Sequence, residues 1–418
     1  MESVDAHHGR VHVETMVESR SAPNRVTEPI VDACAHADPD TGFGLYLHVP
    51  FCATRCGYCD FNTYTAGELG SSSSPESWQA AIDREIDVAA TLLGPARRVS
   101  TVFVGGGTPS LLGSDGLGRL LASVRRRFDL TVDAEITTES NPESTSPEFF
   151  DGLLDAGFTR VSLGMQSAAR HVLATLDRTH TPGRAAAAAR EAAAAGFEHI
   201  NLDLIYGTPG ETDDDLQSSI DAVLATPVDH VSAYALIVED GTALARRIRR
   251  GELPAPDDDV LADRYVMLDT QLRAAGLDWY EVSNWARSPA AACRHNLGYW
   301  RSDDWWGLGP GAHSHVNGVR WWNVKHPARY AQQLAEGHSA AADSEELTET
   351  DRHNELVMLQ LRCRAGLPSR LLTPAELDEA DRQCQMGLLR RSGGSLVLTE
   401  RGRLLADGVI REILLAGE

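Results

Sequence analysis

Three cysteines with the spacing Cys-x3-Cys-x2-Cys form the most reactive pattern in the sequence. Cys52, Cys56 and Cys59 directly follow an apolar run at residues 44–49 that predicts a strand. Three thiolates on one short loop can hold three irons of a cubane [4Fe–4S] cluster, which leaves the fourth iron open to a small ligand. A closed zinc site would need a fourth protein ligand, for which only His48 is nearby. The spacing favours a cluster over zinc and over three buried structural cysteines.

Other polar or glycine-rich motifs follow the next predicted strands, which lie at residues 100–104, 134–138, 160–163 and 199–205. The carboxyl ends of parallel strands meet at one edge of a sheet, where ligands bind. We therefore expect these motifs to surround one site, and a tight turn is the alternative interpretation of the triple glycine alone. In chain order they are Gly105–Pro109, Glu139–Pro142, Gln166, Asp203 and Gly207–Pro209.

These motifs need a scaffold of alternating strands and helices. Helical patterns with plausible caps separate the apolar runs, among them Ser74-Pro75, Ser114, Ser146-Pro147 and Thr212, and a sixth strand is predicted at residues 230–236. Such alternation indicates βαβ units and a parallel sheet. The predicted fold class is α/β, a partial (β/α)6 barrel with a C-terminal extension and a small winged-helix-like α+β module.

The chain divides into four predicted segments. Residues 1–40 lack periodicity and predict a disordered tail, and residues 41–240 carry the partial barrel. Residues 241–335 form an extension rich in Trp, Tyr and His. Residues 336–418 form the winged-helix-like module, with helices followed by a hairpin turning at Ser392-Gly393-Gly394.

Composition excludes several classes of function. The 418 residues carry 60 acidic and 38 basic side chains, a formal net charge of −22, which repels a phosphate backbone and argues against nucleic-acid binding. Seven cysteines are too few for a disulfide scaffold. No run approaches the length of a spanning helix and no secretory signal opens the chain, so we expect a cytoplasmic protein.

The cysteine motif, with Tyr58 before its last cysteine, resembles the signature of radical S-adenosylmethionine (SAM) proteins. In that superfamily the open iron of the cluster binds the amino and carboxylate groups of SAM. Electron transfer from the cluster then cleaves SAM to a 5′-deoxyadenosyl radical. The resemblance implies a [4Fe–4S] cluster on Cys52, Cys56 and Cys59, with SAM beside it.

Within that superfamily, residues 45–52 and the strand-end motifs resemble the oxygen-independent coproporphyrinogen III oxidase group. The resemblance implies that a first SAM contacts Tyr46, Gly106 and Glu139. It implies that a second SAM contacts Tyr58, Gly107, Thr108, Gln166, Arg178 and Asp203.

Two departures from the oxidase pattern point to a different branch. Phe61 stands where the oxidases carry a fourth cysteine, and His295–Trp300 resembles the His-Asn-x-x-Tyr-Trp motif of HemW-type heme chaperones. That resemblance implies a protein that binds heme and transfers it to acceptor proteins. The alternative is an oxygen-independent coproporphyrinogen III oxidase, which decarboxylates propionates oxidatively; enzymatic activity is left open.

Heme would be a ligand of the aromatic-rich extension. His295 is the candidate axial ligand, and Cys293 is an alternative to a buried structural role. The family implies as partners heme, heme-acceptor proteins such as respiratory enzymes, and an electron donor for the cluster. The expected location is the cytoplasm, with a peripheral place at the membrane through an acceptor. A homodimer is compatible with the sequence, but no residue indicates one.

Overall fold

A continuous sheet of twelve strands dominates the computed structural model, which describes residues 27–71, 73–178 and 181–417. Its centre is a set of six parallel strands that alternate with helices, as the sequence predicts. The six are β1 (Phe43–Val49), β4 (Val99–Gly106), β5 (Leu130–Ser140), β6 (Arg160–Gln166), β7 (His199–Tyr206) and β8 (His230–Ala235). The short strands β2 (Phe51–Cys52) and β3 (Tyr64–Thr65) lie between β1 and β4 and pair parallel with each other. The α/β partial-barrel prediction is confirmed.

The helices between these strands begin where local sequence chemistry allows. They are α2 (Ala66–Leu69), α3 (Pro75–Leu93), α4 (Gly113–Arg127), α5 (Pro147–Ala156), α6 (Arg170–Thr175), α7 (Arg184–Ala195) and α8 (Asp213–Leu224). The side chains of Ser74, Ser146 and Thr212 accept hydrogen bonds from the backbone of the first turn, as predicted. The expected cap at Ser114 is wrong, because Leu112 precedes the first helical residue and Ser114 lies inside α4.

The extension continues the central sheet at both of its edges. Beyond α9 (Ala243–Arg249) and α10 (Asp258–Ala274), the strands β9 (Asp278–Glu281) and β10 (Asn284–Ala286) pair antiparallel beside β8. After α11 (Arg294–Arg301), β11 (Asp304–Leu308) pairs parallel to β1 on the other edge. The strands β12 (His313–Val316), β13 (Val319–Asn323) and, after α12 (Pro327–Ala335), β14 (Ala341–Glu346) follow antiparallel.

This pairing corrects one predicted boundary. The break at residue 336 would assign β14 to the terminal module, yet β14 hydrogen-bonds along β13 and so belongs to the sheet. Periodicity in the sequence cannot show which strand a short polar segment will pair with.

A buried carboxyl joins the extension to the barrel. Glu85 on α3 accepts hydrogen bonds from the Tyr330 hydroxyl at 2.5 Å, the Asn323 side chain at 2.7 Å and the Gly309 backbone N–H at 2.8 Å. Burial raises the pKa of Glu85 to about 7. Because this one side chain ties α3 to three points of the extension, the two segments pack as one body.

The predicted disordered tail is partly wrong. Residues 1–26 lie outside the described residues, but Thr27–Ala35 form the helix α1. Ile30, Ala33 and Cys34 on this helix are buried in the same hydrophobic core as β1 and α3. Only three apolar positions meet that core, which is too few to stand out as a periodic pattern.

The C-terminal module has its own hydrophobic core and a three-stranded sheet. Its elements are α13 (Glu349–Gln360), β15 (Leu367–Pro368), α14 (Pro374–Gln385), β16 (Leu389–Ser392), β17 (Ser395–Leu398), α15 (Glu400–Leu404) and α16 (Ala406–Gly417). The hairpin of β16 and β17 turns at the predicted glycines. Among the described residues, no helix is long and apolar enough to cross a membrane.

Candidate functional site

A cavity of about 590 Å³ opens at the carboxyl ends of the six central strands. The cysteine loop, the glycine motif and the strand-end polar residues all line it. Of the predicted site residues, it brings together Cys52, Cys56, Tyr58, Cys59, Gly106, Gly107, Thr108, Glu139, Gln166, Arg178 and Asp203. The cavity wall does not include Tyr46 or His295, and the predicted Gly207–Pro209 motif does not line it either.

Backbone hydrogen bonds fix the cysteine loop to the rest of the barrel. The Gly57 N–H donates to the Leu176 carbonyl at 3.1 Å, and the Gly57 carbonyl accepts from the Leu244 N–H at 2.8 Å. Farther along, the Asn62 side chain donates to the carbonyls of Pro310 and Lys325 at 2.9 and 2.8 Å. The loop is therefore held from α6, α9 and the extension, which preorganises the three thiols.

The thiols sit in a partly buried environment with cationic and hydroxyl neighbours. Arg178 Nη1 donates to Cys56 Sγ at 3.3 Å, and Thr108 Oγ1 lies 3.8 Å from Cys52 Sγ. Burial raises the pKa of Cys59 to about 11 and also raises the pKa of Cys52. Iron binds the thiolate form of cysteine, so metal binding must offset the free-energy cost of burying charged sulfur. The Arg178 guanidinium favours the charged form of the sulfur nearest to it, that of Cys56.

The donor set fits a cluster better than a single ion. All seven cysteines are free, and three of them line one wall of the cavity. In the described part of the chain no group of three His, Cys, Asp or Glu side chains stands close enough to hold one metal ion. A cubane does not require such convergence, because each cysteine binds a different iron.

The glycine motif is required by packing of the chain against itself. A Cβ on Gly107 would lie 2.5 Å from the Phe51 carbonyl oxygen, and one on Gly106 would lie 2.6 Å from the His48 ring. Gly106 also has a φ of 110°, which side chains rarely adopt. The glycines thus let β4 approach the start of the cysteine loop. There the Gly107 N–H donates to the Val49 carbonyl and the Thr108 N–H donates to the Phe51 carbonyl.

Two partly buried carboxyls line the cavity at the ends of β5 and β7. Glu139 accepts from the Gly106 N–H at 3.0 Å, and Asp203 accepts from the side chains of Asn201 at 2.6 Å and Ser162 at 3.1 Å. Burial and the neighbouring Asp203 raise the pKa of Glu139 to about 7. Burial raises the pKa of Asp203 as well. A ligand with hydroxyl or ammonium groups would satisfy both carboxyls.

Several polar atoms at the site have no partner within the described protein. Arg178 Nε and Ser140 Oγ are buried, without a hydrogen-bond partner, on residues that line the cavity. Gln166 has a φ of 68° at an irregularity between β6 and β7, a strained conformation for a residue with a side chain. Orphaned polar atoms and local strain together mark a prepared ligand site.

Tyr46 lies beneath the site rather than on it. Its hydroxyl is 3.0 Å from His48 Nδ1, and its ring stacks on Phe103 at 6.3 Å. His48 Nε2 in turn donates to the Asn62 carbonyl at 2.9 Å. In this arrangement Tyr46 supports the cysteine loop through His48 and does not line the cavity.

The structure argues against His295 as a ready heme ligand. His295 is 5% exposed and lies inside the barrel, with Nδ1 at 2.8 Å from Thr101 Oγ1 and Nε2 at 2.8 Å from the Tyr299 hydroxyl. Its ring stacks on Phe103 at 5.3 Å. Burial lowers the pKa of His295 to about 3. Both ring nitrogens already have partners, so the motif packs α11 against β4 in this structure.

Cys293 is equally enclosed. It is 6% exposed, and burial raises the pKa of its thiol to about 12. Its Sγ lies 3.5 Å from Glu135 Oε1. This agrees with a buried structural role and leaves the thiol far from solvent.

Sequence reasoning missed part of the cavity wall. Tyr234 at the end of β8 and Ser283 between β9 and β10 also line it. Tyr234 follows the same strand-end rule as the other motifs, and the rule could have found it. Ser283 belongs to the extension, and only the antiparallel pairing of β10 with β8 brings it to the site.

The mouth of the cavity exposes large apolar side chains. Phe61 is 57% exposed, Ile237 is 68% exposed and Tyr234 is 45% exposed. All three line the cavity. Exposed apolar side chains grouped around a cavity indicate a binding surface.

Comparison with protein families agrees with this geometry. The profile of the radical SAM superfamily matches residues 46–223, which contain the cysteine loop and four of the six central strands in full. The profile of the HemN C-terminal domain matches residues 347–405, within the terminal module.

Curated relatives extend the match along most of the chain. The heme chaperone HemW of Mycobacterium tuberculosis is 61% identical over 376 residues, which cover 90% of this chain and 96% of the relative. The heme chaperone HemW of Escherichia coli is 33% identical over 389 residues, with 89% and 98% covered.

A solved structure shares the architecture. Coproporphyrinogen III oxidase (HemN) from Escherichia coli, described as a radical SAM enzyme, superposes with a TM-score of 0.78 at 25% identity. The superposition covers 93% of this chain and 92% of that one.

Proposed function

This chain belongs to the HemW heme chaperone family of the radical SAM superfamily, and from that premise we propose that it binds heme and passes it to acceptor proteins. The observation that carries the proposal is the 61% identity to a heme chaperone across 96% of that relative. Phe61 supports it, because the position that holds a fourth cysteine in the oxidase pattern is an exposed aromatic here.

Cys52, Cys56 and Cys59 are proposed to hold a [4Fe–4S] cluster. The preorganised loop, the free thiols and the cationic Arg178 beside Cys56 support this assignment. When bound, such a cluster supplies an open iron for SAM and the electron for its cleavage. The role of the protein is to fix the three sulfurs and to shield them from solvent.

SAM is proposed to occupy the cavity beside the cysteine loop. Glu139 and Asp203 would receive hydroxyl or ammonium groups, and Arg178 would receive a carboxylate through its unpartnered Nε. Gly106, Gly107 and Thr108 would present backbone groups along one wall. Tyr58 and Gln166 complete the wall, and Tyr46 acts indirectly through His48.

Heme is proposed to dock as cargo at the apolar mouth of this cavity. Phe61, Tyr234 and Ile237 expose apolar surface there, and a porphyrin has two apolar faces that such side chains can cover. The predicted axial role of His295 would require its ring to leave both Thr101 and Tyr299. Docking at the mouth requires no such rearrangement.

The proposed partners follow from this function. Heme-dependent respiratory enzymes are the proposed acceptors, and a one-electron donor would serve the cluster. We propose that the chain acts in the cytoplasm and meets membrane-bound acceptors there. Pull-down of acceptors with the heme-loaded chain, compared with the heme-free chain, tests this part directly.

A second candidate function is the oxidative decarboxylation of coproporphyrinogen III. The superposition on the oxidase over 93% of this chain favours it. Anaerobic incubation with SAM, a reductant and coproporphyrinogen would yield protoporphyrinogen. A chain with an intact cluster that forms no vinyl product is not an oxidase.

The heme proposal is tested by anaerobic hemin titration with and without SAM. We expect a stable Soret band that stays with the protein through a desalting column. Hemin that separates from the protein on the column would refute the proposal. Measuring iron and SAM binding in the same preparation separates loss of heme binding from loss of the cluster.

A further inference from the structure

A second cavity, of about 230 Å³, lies on the seam between the barrel extension and the C-terminal module. None of its lining residues belongs to the cysteine site. Four arginines line it: Arg273 comes from α10 of the extension, and Arg364, Arg390 and Arg403 come from the module. Four cations around one small cavity stand out in a chain with a net charge of −22.

Arg403 forms the fixed floor of this cavity. Its guanidinium donates to both oxygens of Asp269, at 3.1 and 2.6 Å, and lies 4.6 Å from the centre of the Trp279 ring. The Arg403 side chain is only 5% exposed. Two hydrogen bonds and the contact with the indole hold this guanidinium at one wall of the cavity.

Arg273 and Arg364 have partners that an anion could replace. Arg273 pairs with Glu400 at 2.5 Å, and Arg364 pairs with Asp278 at 3.0 Å. The carboxylates are 74% and 59% exposed, so water can solvate them when they are released. Exposed ion pairs contribute little to stability, so replacing these carboxylates with an anion loses little.

Two donors at the cavity have no partner among the described residues. Arg390 on β16 is exposed and forms no ion pair or side-chain hydrogen bond. Trp279 is 7% exposed, and its Nε1 is buried without a hydrogen-bond partner. Because Trp279 lines the cavity, its unpartnered N–H is a further donor that an anion bound there can satisfy.

We propose that this cavity binds a small phosphate anion, which links the barrel extension to the C-terminal module. The four guanidinium groups and the Trp279 N–H are donors, so they favour a ligand rich in acceptors. Guanidinium groups bind phosphate oxygens in pairs. The four arginines face three carboxylates, those of Asp269, Asp278 and Glu400, and the uncompensated charge lies on Arg390.

Titration calorimetry with inorganic phosphate tests the proposal on the full chain. Pyrophosphate and malonate are titrated in parallel, because malonate offers carboxylate oxygens of similar reach. We expect phosphate or pyrophosphate to bind, and malonate to bind more weakly.

Arg390→Ala should weaken phosphate binding about tenfold, the loss expected for one charge-assisted hydrogen bond. Trp279→Phe keeps the ring beneath Arg403 but removes the N–H, and should weaken binding several-fold.

Arg391→Ala is the matched control. Arg391 neighbours Arg390 on β16 but pairs with Asp381 at 2.6 Å and does not line the cavity. We expect its phosphate affinity to equal that of the wild type, and we expect phosphate to raise the thermal midpoint of the wild type and of this control alike. Three results would each overturn the proposal. They are no binding of either phosphate or pyrophosphate, malonate binding as tight as phosphate binding, and equal loss of phosphate affinity in the Arg390 and Arg391 variants.

Discussion

Arg178 Nη1 lies 3.3 Å from Cys56 Sγ, so one guanidinium joins the proposed cluster ligands to the proposed SAM cavity. Its Nε remains buried without a partner. Arg178→Lys keeps a positive charge near the thiol but removes the planar fork. We expect unchanged iron content and about tenfold weaker SAM binding, the loss expected for a charge-assisted hydrogen bond.

The measurement for Arg178→Lys is SAM affinity by equilibrium dialysis on reconstituted protein. Arg190→Lys is the control, because Arg190 is exposed and donates only to backbone carbonyls of α7 and of the loop after α8. Wild-type affinity in Arg178→Lys would place SAM elsewhere.

Serine at Cys52, Cys56 or Cys59 should remove most of the iron, because a hydroxyl is a poor substitute for a thiolate ligand. Iron analysis and the visible absorption of the cluster after anaerobic reconstitution measure the effect. Cys384→Ser is the control, since Cys384 lies on α14 in the terminal module. Iron content that stays at the wild-type level in all three loop variants would disprove the cluster assignment.

Gly107→Ala should damage the site without changing its charge. The new Cβ would lie 2.5 Å from the Phe51 carbonyl oxygen, so the start of the cysteine loop must move. Overpacking of this kind costs about 1–3 kcal/mol in the free energy of unfolding.

Gly408→Ala on α16 is the matched control for that change, because no atom lies within 4 Å of its new Cβ. It should stabilise the helix by about 0.5–1 kcal/mol. Chemical denaturation and iron content are measured for both variants. Equal behaviour of the two would show that the triple glycine has no packing role.

Glu85 predicts a pH dependence of stability. Its pKa rises from 4.5 to about 7 in the folded protein, so folding favours the protonated acid. The stabilisation is complete below pH 4.5 and is lost as the pH rises toward 7, by at most about 1.4 kcal/mol per pH unit.

Glu85→Gln cannot ionise and should lose this slope while remaining folded. The free energy of unfolding of wild type and variant is compared by denaturation across the same pH window. Identical slopes would mean that the Glu85 carboxyl is ionised in the folded protein despite its burial.

Phe61→Ser and Ile237→Ser should weaken hemin retention if heme docks at the cavity mouth. Each removes apolar surface that is more than half exposed, so the fold should tolerate both changes. Val132→Ser is the control, because Val132 is fully exposed at the opposite end of β5 from the cavity. Soret absorbance after desalting measures retention. Equal retention in all three variants would place heme elsewhere.

Much of the central architecture could be predicted from the sequence, for identifiable reasons. The apolar runs and the caps at Ser74, Ser146 and Thr212 act locally, so short windows of sequence encode them. The strand-end rule likewise placed Glu139 and Asp203 in one cavity, because every parallel strand delivers its carboxyl end to the same edge.

The features that the sequence did not predict depend on contacts between distant segments of the chain. The burial of α1, the pairing of β14 with β13 and the entry of Ser283 into the cavity arise from tertiary packing. His295 lies in a motif that resembles a heme-binding one, yet Thr101 from β4 and Tyr299 from its own helix occupy both ring nitrogens. Spacing along the chain cannot reveal a partner that is 194 residues away.

Transfer of heme to an acceptor tests the central claim most directly. The chain is loaded with hemin, freed of excess heme on a desalting column, and mixed anaerobically with the apo form of a heme-dependent respiratory enzyme. We predict that the acceptor gains activity while the Soret band of the chain declines, faster than with an equal amount of hemin on serum albumin. Heme that stays on the chain, or transfer no faster than from albumin, would contradict the account.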